Sequence, residues 1–197
     1  MSKSERITAP RGMPDALPSD MALLRHLEMT ARRVFALCAY EEIRPPLFED
    51  TRLFVRGIGE ATDIVEKEMY TFAEGDAGDS ITLRPEATAS VVRAVIEHEF
   101  LKQKGFWKLY YIGPMFRKER PQAGRLRQFD QIGCEAIGSC EPLVDAESIL
   151  LAARFFREIG LAGVTVKVNS IGCPTCRGAY REALRAALAP RMGELCP

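Results

Sequence analysis

The stretch FRKERPQAGRLRQFDQIGCEAIG, residues 116–138, decides how the rest of the chain is read. Its first half crowds Arg117, Lys118, Arg120, Arg125 and Arg127 around a proline and a glycine, as an exposed turn would. Its second half changes chemical character at every second position. Side chains at i, i+2 and i+4 of a strand share a face. One face therefore carries Arg127, Phe129, Gln131, Gly133 and Glu135, and the other Leu126, Gln128, Asp130, Ile132, Cys134 and Ala136. The preceding WKLYYIGPMFR is rich in aromatic and β-branched residues, which suit a strand, so the two form a long antiparallel hairpin. Two readings of the first face stand side by side. In one it meets water while its opposite packs on the core. In the other it is the wall of a site, because a mid-strand glycine marks a close approach and a phenylalanine there makes a stacking platform.

Working outward, Arg117, Glu119 and Arg125 extend the charged set. Arginine suits phosphate because its planar fork donates two hydrogen bonds at fixed geometry. The alternative is a surface salt-bridge cluster, which contributes little to stability. A second patch, LRPEAT at residues 83–88, places Glu86 and Thr88 at a strand-to-helix junction. They either cap the helix and complement its dipole or contact a ligand.

The remaining pattern gives the frame. PRGMPDALPSD is a proline-punctuated lead-in, after which Ser19 or Asp20 caps a helix to about Cys38, with Leu24, Leu27, Ala31, Val34, Phe35 and Cys38 on one face. EEIRPPLFED reads as a strand interrupted by its prolines. KEMYTF and ITLRP form a hairpin across GDAGDS, and Pro85 fits the first turn of a helix from Glu86 to Gln103. Asp145 caps a helix that stops at Gly160, VTVKV at 164–168 alternates as a strand, and CRGAYREALRAALAP is a helix. Strands outnumber β-α-β patterns, which favours an antiparallel sheet with packed helices.

Composition sets limits. With 27 basic and 27 acidic residues the net charge is zero, so nucleic-acid binding has to rest on local patches. The N-terminus lacks the apolar run of a secretory signal, and no segment approaches the roughly 18 apolar residues of a membrane span. A cytosolic chain is expected, in which Cys38, Cys134 and Cys140 are core thiols. Cys173 and Cys176 form a C-x-x-C pair, and Cys196 opens a second C-P. A closed zinc site wants four ligands, so this pair holds zinc only in a longer chain and otherwise stays as reduced thiols. His26 and His98, the only histidines, fall on expected helices and read as structural.

TDIVEKEMYTF (62–72), TLRPEAT (82–88) and GPMFRKERPQAGRLRQFDQIGCE (113–135) together resemble histidyl-tRNA synthetase, over nearly the whole chain from about Arg11. The resemblance implies an α+β fold, a class II synthetase-like antiparallel sheet flanked by helices, incomplete at the C-terminus. Residues 1–169 would be the partial catalytic core, and 170–197 the start of an inserted helical, cysteine-containing region. It implies a cytoplasmic homodimer with Pro46 at the interface, acting on histidine, ATP and tRNA(His) with Mg²⁺. Matched residue by residue, Arg117 is the catalytic arginine, binding the α-phosphate of ATP and the histidine carboxylate. Glu119, Arg125 and Phe129 face ATP, with Phe129 stacking on adenine. Glu86, Thr88, Gln131 and Glu135 hold histidine, and Ala87 stands where the family usually has glycine. The family's later motifs and anticodon-binding domain have no counterpart here, so the chain is expected to be inactive alone. The runner-up is the non-catalytic, histidine-sensing regulatory subunit of ATP phosphoribosyltransferase. The intact Arg117, Glu119, Arg125 and Phe129, and the NSIGC leading into an insertion, favour the ligase. A metal-binding interaction module would rest on the cysteines alone.

Overall fold

In the computed structural model, which describes residues 6–58, 69–74, 79–119, 124–169 and 172–194, the hairpin is the spine of the molecule. β5 (Trp107–Phe116) and β6 (Gln128–Ile137) pair antiparallel along their whole length, with Tyr111 opposite Gly133, Gly113 opposite Gln131 and Met115 opposite Phe129. The expected EEIRPPLFED strand is two strands. β1 (Glu41–Glu42) runs parallel to β5, while β2 (Phe48–Asp50) joins β3 (Tyr70–Glu74) and β4 (Asp79–Leu83) in a separate antiparallel sheet of order β2-β4-β3. The prolines explain the division, since a residue without an N–H cannot donate to a ladder and the chain leaves one sheet there for the other.

Both faces of the β5–β6 hairpin are covered. On one, α1 (Pro18–Leu37) and α5 (Pro142–Glu158) close a core of Ala31, Val34, Phe35, Tyr40, Tyr110 and Leu151. On the other, α3 (Thr88–Glu97) brings Val91 and Val95 onto Leu109, Tyr111 and Met115. The face carrying Phe129, Gln131 and Glu135 is therefore half-buried under α3 and not a wet surface. α2 (Thr51–Ile58) packs on α3 and β4, and Thr51, Thr71 and Thr82 share hydroxyl hydrogen bonds of 2.9 Å across the second sheet.

Helix ends differ from expectation for local reasons. α1 begins at Pro18, whose fixed φ suits the first helical position, so its cap is Leu17. Asp20 then accepts the Leu17 N–H at 3.0 Å. α5 likewise starts at Pro142, one turn before Asp145. Pro85 lies ahead of α3, not in its first turn, because Glu86 accepts the N–H groups of Thr88 (2.6 Å) and Ala89 (3.0 Å) and so sets the start. The helix expected to reach Gln103 breaks where Glu99 turns left-handed (φ 53°), and a single turn, α4 (Phe100–Gln103), follows. Gly160 ends α5 with φ 83°, as expected.

The chain divides into two compact units, Met1–Ala162 and Gly163–Pro197. In the second, α6 (Pro174–Leu188) runs into a 3₁₀ turn, Ala189–Glu194. The expected strand at 164–168 takes no regular secondary structure and joins no ladder among the described residues, and Val164, Val166 and Val168 are exposed. Alternation signals a strand, yet a strand also needs an edge to pair with. Cys38 and Cys134 are half-buried, whereas Cys140 is exposed and not the core thiol expected. Among the described residues no helix is long and apolar enough to cross a membrane.

Candidate active site

Described residues on the two arms of the hairpin line a cavity of about 580 Å³, namely Arg117, Glu119, Gly124, Arg125, Leu126 and Phe129. Arg117 leaves the end of β5 and is aimed from two sides. Its Nε donates to the Pro85 carbonyl at 3.0 Å, and its guanidinium carbon lies 5.1 Å from the Phe129 ring centroid. A guanidinium over a ring gains cation–π attraction, so the arginine is held before any ligand arrives. Glu119 sits between two cations, 3.8 Å from Arg117 and 3.3 Å from Arg125.

Arg127 shares the strand face but has a different job. Its Nε donates to the Glu119 carbonyl (3.1 Å), while its own N–H and that of Gln128 donate to Gly12 (2.7 and 3.2 Å). It fastens the N-terminal lead-in to the hairpin. Arg84 of LRPEAT is also structural. It is 5% exposed, and its fork donates to the carbonyls of Pro114 (3.0 Å), Pro45 (2.8 Å) and Pro46 (3.4 Å), joining the two sheets. Burial lowers its pKa, and the nearby charge of Glu49 opposes that shift.

Further along the same face lies a buried polar cluster. The Oε1 of Gln131 is buried with no hydrogen-bond partner, a costly state that a ligand's N–H would relieve. Burial pushes the Glu135 carboxyl above the ordinary glutamate range; hydrogen bonding with Thr88 opposes this and the nearby Glu86 charge adds to it. Tyr111 completes the cluster. Burial raises its phenol to about 12, against a hydrogen bond with Thr88. Its ring lies directly over Gly133, where a Cβ would come within 2.3 Å of the hydroxyl oxygen, so the space that glycine leaves belongs to Tyr111.

Glu86 thus caps α3, accepting the N–H of Thr88, and both residues border this cluster, whereas Ala87 is fully buried, with its methyl in the core beside Val91 and Met115. Tyr111 and Arg84 are the residues that pattern reading missed. The signal for Tyr111 was available, since a glycine inside a paired strand asks what large side chain lies opposite it. From Phe129 to Glu135 the face runs six residues, about 20 Å, with a cation and ring at one end and a carboxylate at the other.

The family model for Histidyl-tRNA synthetase matches residues 12–176. The chain belongs to that family. The histidine–tRNA ligase of Moorella thermoacetica is 57% identical over 190 residues, 95% of this chain and 44% of that protein. The histidine–tRNA ligase of Trichlorobacter lovleyi is 54% identical, covering 96% of this chain and 45% of its own length. Among solved structures, the apo S. aureus histidyl-tRNA synthetase superposes with a TM-score of 0.74 at 39% identity, over 97% of this chain and 44% of that one. A Bacillus halodurans protein described as an ATP phosphoribosyltransferase regulatory subunit/histidyl-tRNA synthetase matches with a TM-score of 0.66 at 25% identity, over 81% of this chain and 40% of that one. The chain spans slightly under half the length of the relatives it matches. The histidyl-tRNA synthetase fold, an α+β catalytic architecture with mostly antiparallel sheets, is thus the frame that holds Arg117, Gln131 and Glu135 on one face.

Proposed function

We propose that this chain is the part of a histidine–tRNA ligase that activates histidine with ATP and serves its transfer to tRNA(His). The observation that carries this is the order of groups along one strand face. Arg117 and the Phe129 ring stand at the end that suits a nucleotide, and the unpartnered Oε1 of Gln131 and the half-buried Glu135 at the end that suits a polar, cationic amino acid. ATP would lie in the loop cavity, with adenine on Phe129, Arg117 on the α-phosphate and Arg125 near the outer phosphates. Histidine would meet Glu86, Thr88, Gln131 and Glu135, with the backbone at Ala87 supporting them and Tyr111 closing the floor.

The chemistry asks little of a side-chain base. The histidine carboxylate is already an anion, attacks the α-phosphorus in line and expels pyrophosphate. Catalysis then consists of positioning the two substrates and neutralising charge on the phosphate. Arg117 does both, since it is pre-aimed by Pro85 and Phe129. Magnesium typically takes one or two carboxylates and fills its shell with phosphate oxygens and water. Glu119, the carboxylate among the described lining residues of the cavity, fits that donor set, and the ion would neutralise charge on the leaving pyrophosphate. Zinc does not fit in the same way. The described residues offer only Cys173 and Cys176 where a structural site needs four ligands, and Cys196 lies outside them.

A second copy would meet this one near the exposed Pro46, where Leu47, Phe48 and Phe72 leave an apolar surface and the Phe48 and Phe72 rings meet edge-on at 6.0 Å. Patches of this kind mark interaction sites, which supports a homodimer of the longer protein. That protein would work in the cytoplasm. Since the chain spans less than half of its relatives, these residues alone are expected not to charge tRNA. Histidine-dependent exchange of labelled pyrophosphate into ATP, by the protein carrying this chain at its natural length, tests the reading. Histidine binding without exchange would instead favour the regulatory role named for the Bacillus halodurans relative.

A further inference from the structure

We propose that Cys173 and Cys176 form a redox-active dithiol, a site that takes up and returns a disulfide by exchange with small-molecule disulfides such as oxidised glutathione. The two thiols occupy the cap and third positions of α6, one turn apart, and their sulfurs stand 3.5 Å from each other. Both are exposed, so a disulfide in solution can reach them. The backbone is shaped for this pair. Pro174 fixes the first helical residue between them, and Gly172 takes a left-handed φ of 73°. A Cβ on Gly172 would come within 2.6 Å of the Cys176 sulfur, so any other residue there would push that sulfur out of place. The Cys173 N–H donates to the Cys176 sulfur at 3.1 Å, which holds it beside its partner.

The helix terminus supplies reactivity. Hydrogen bonds from Cys176, and then from Thr175, hold the Cys173 thiol below the ordinary cysteine range, which favours the reactive thiolate beside its partner sulfur. Cys134 shows the contrast, a half-buried thiol that burial pushes up. Exchange balances without any further reagent. The Cys173 thiolate attacks one sulfur of R–S–S–R, forming a mixed disulfide and releasing RS⁻. Cys176 loses its proton, attacks the Cys173 sulfur and releases a second RS⁻. The two leaving groups take up protons as two RSH, while the protein dithiol is oxidised by two electrons to a disulfide.

The test uses the 197-residue chain in glutathione buffers of graded oxidised-to-reduced ratio, quenched with N-ethylmaleimide and digested with trypsin. Cleavage after Lys167 and Arg177 leaves both thiols in one peptide, residues 168–177, and Cys196 in another. As the ratio rises, this peptide should convert in one step from doubly alkylated to an unalkylated form lighter by two hydrogens. Cys173→Ser should abolish that form, and Cys176→Ser should trap a glutathione mixed disulfide on Cys173. Iodoacetamide should also modify Cys173 several-fold faster than Cys140 at pH 7. Double alkylation at every ratio, pairing with Cys196 in place of the internal bridge, or stoichiometric zinc retained by these thiols would each overturn the proposal. Both serine changes sit on an exposed helix end, and unchanged circular dichroism would show that the fold survives them.

Discussion

The ring of Tyr111 lies over the bare Cα of Gly133 across the β5–β6 ladder, so closely that a Cβ would sit 2.4 Å from its Cζ. Tyr111 is 4% exposed and packed among Val91, Val95 and Met115, so it cannot swing aside. Gly133→Ala should therefore destabilise the fold by about 1–3 kcal/mol, the usual cost of overpacking. Urea denaturation would measure this. Tyr111→Phe would not relieve the clash, because the ring carbons stay, whereas Tyr111→Ala in the same chain should recover part of the loss.

Arg84 predicts a second stability effect. Its fork satisfies carbonyls of Pro45 and Pro114 that face a buried junction. Lysine keeps the charge but not the planar fork, and leaves at least one carbonyl unpaired. Arg84→Lys should cost about 1–3 kcal/mol, the range for orphaning a buried polar group. Thermal or urea melts of the two proteins would check it.

Glu135 predicts a pH dependence. Burial, first among its causes, raises its carboxyl above the ordinary range, so the folded state holds a proton that the unfolded state has released. Over the window between those two values the folded chain binds more protons, and stability falls as pH rises through it. The penalty is absent below the ordinary glutamate value and complete above the raised one. Glu135→Gln removes it. The variant should melt higher than the parent at pH 7, and the gap should close toward pH 4. An equal gap at both pH values would contradict the raised carboxyl.

The ring and the amide should separate the two substrates. Phe129→Ala removes the stacking platform and the support under Arg117, so it should raise the KM for ATP more than that for histidine. Gln131→Ala removes a buried acceptor on the amino-acid side and should do the reverse. Steady-state exchange kinetics in the full-length protein would show both splits.

The hairpin was legible because a period of two leaves little freedom: once Phe129 and Gln131 share a face, every residue from Arg127 to Glu135 is assigned. Arg117, Glu119 and Arg125 likewise fell on the loop cavity, because a proline and a glycine amid charges can only be a turn. Other features depended on contacts distant in sequence. The structural role of Arg84 was hidden because nothing in LRPEAT shows the carbonyls of Pro45 and Pro46 that its fork meets. Tyr111 looked like one aromatic among several until the register placed it on Gly133. The valines at 164–168 carry a strand's alternation, but the edge that would pair with them is not encoded there.

The most direct test of the central claim is histidine-dependent ATP–pyrophosphate exchange by the protein carrying this chain at its natural length, with and without Arg117→Ala. Exchange that requires histidine and falls about 10²–10³-fold in the variant, as when a donor to developing charge is lost, is the predicted result. Histidine binding with no exchange in the parent protein, or exchange unaffected by loss of Arg117, would contradict the account.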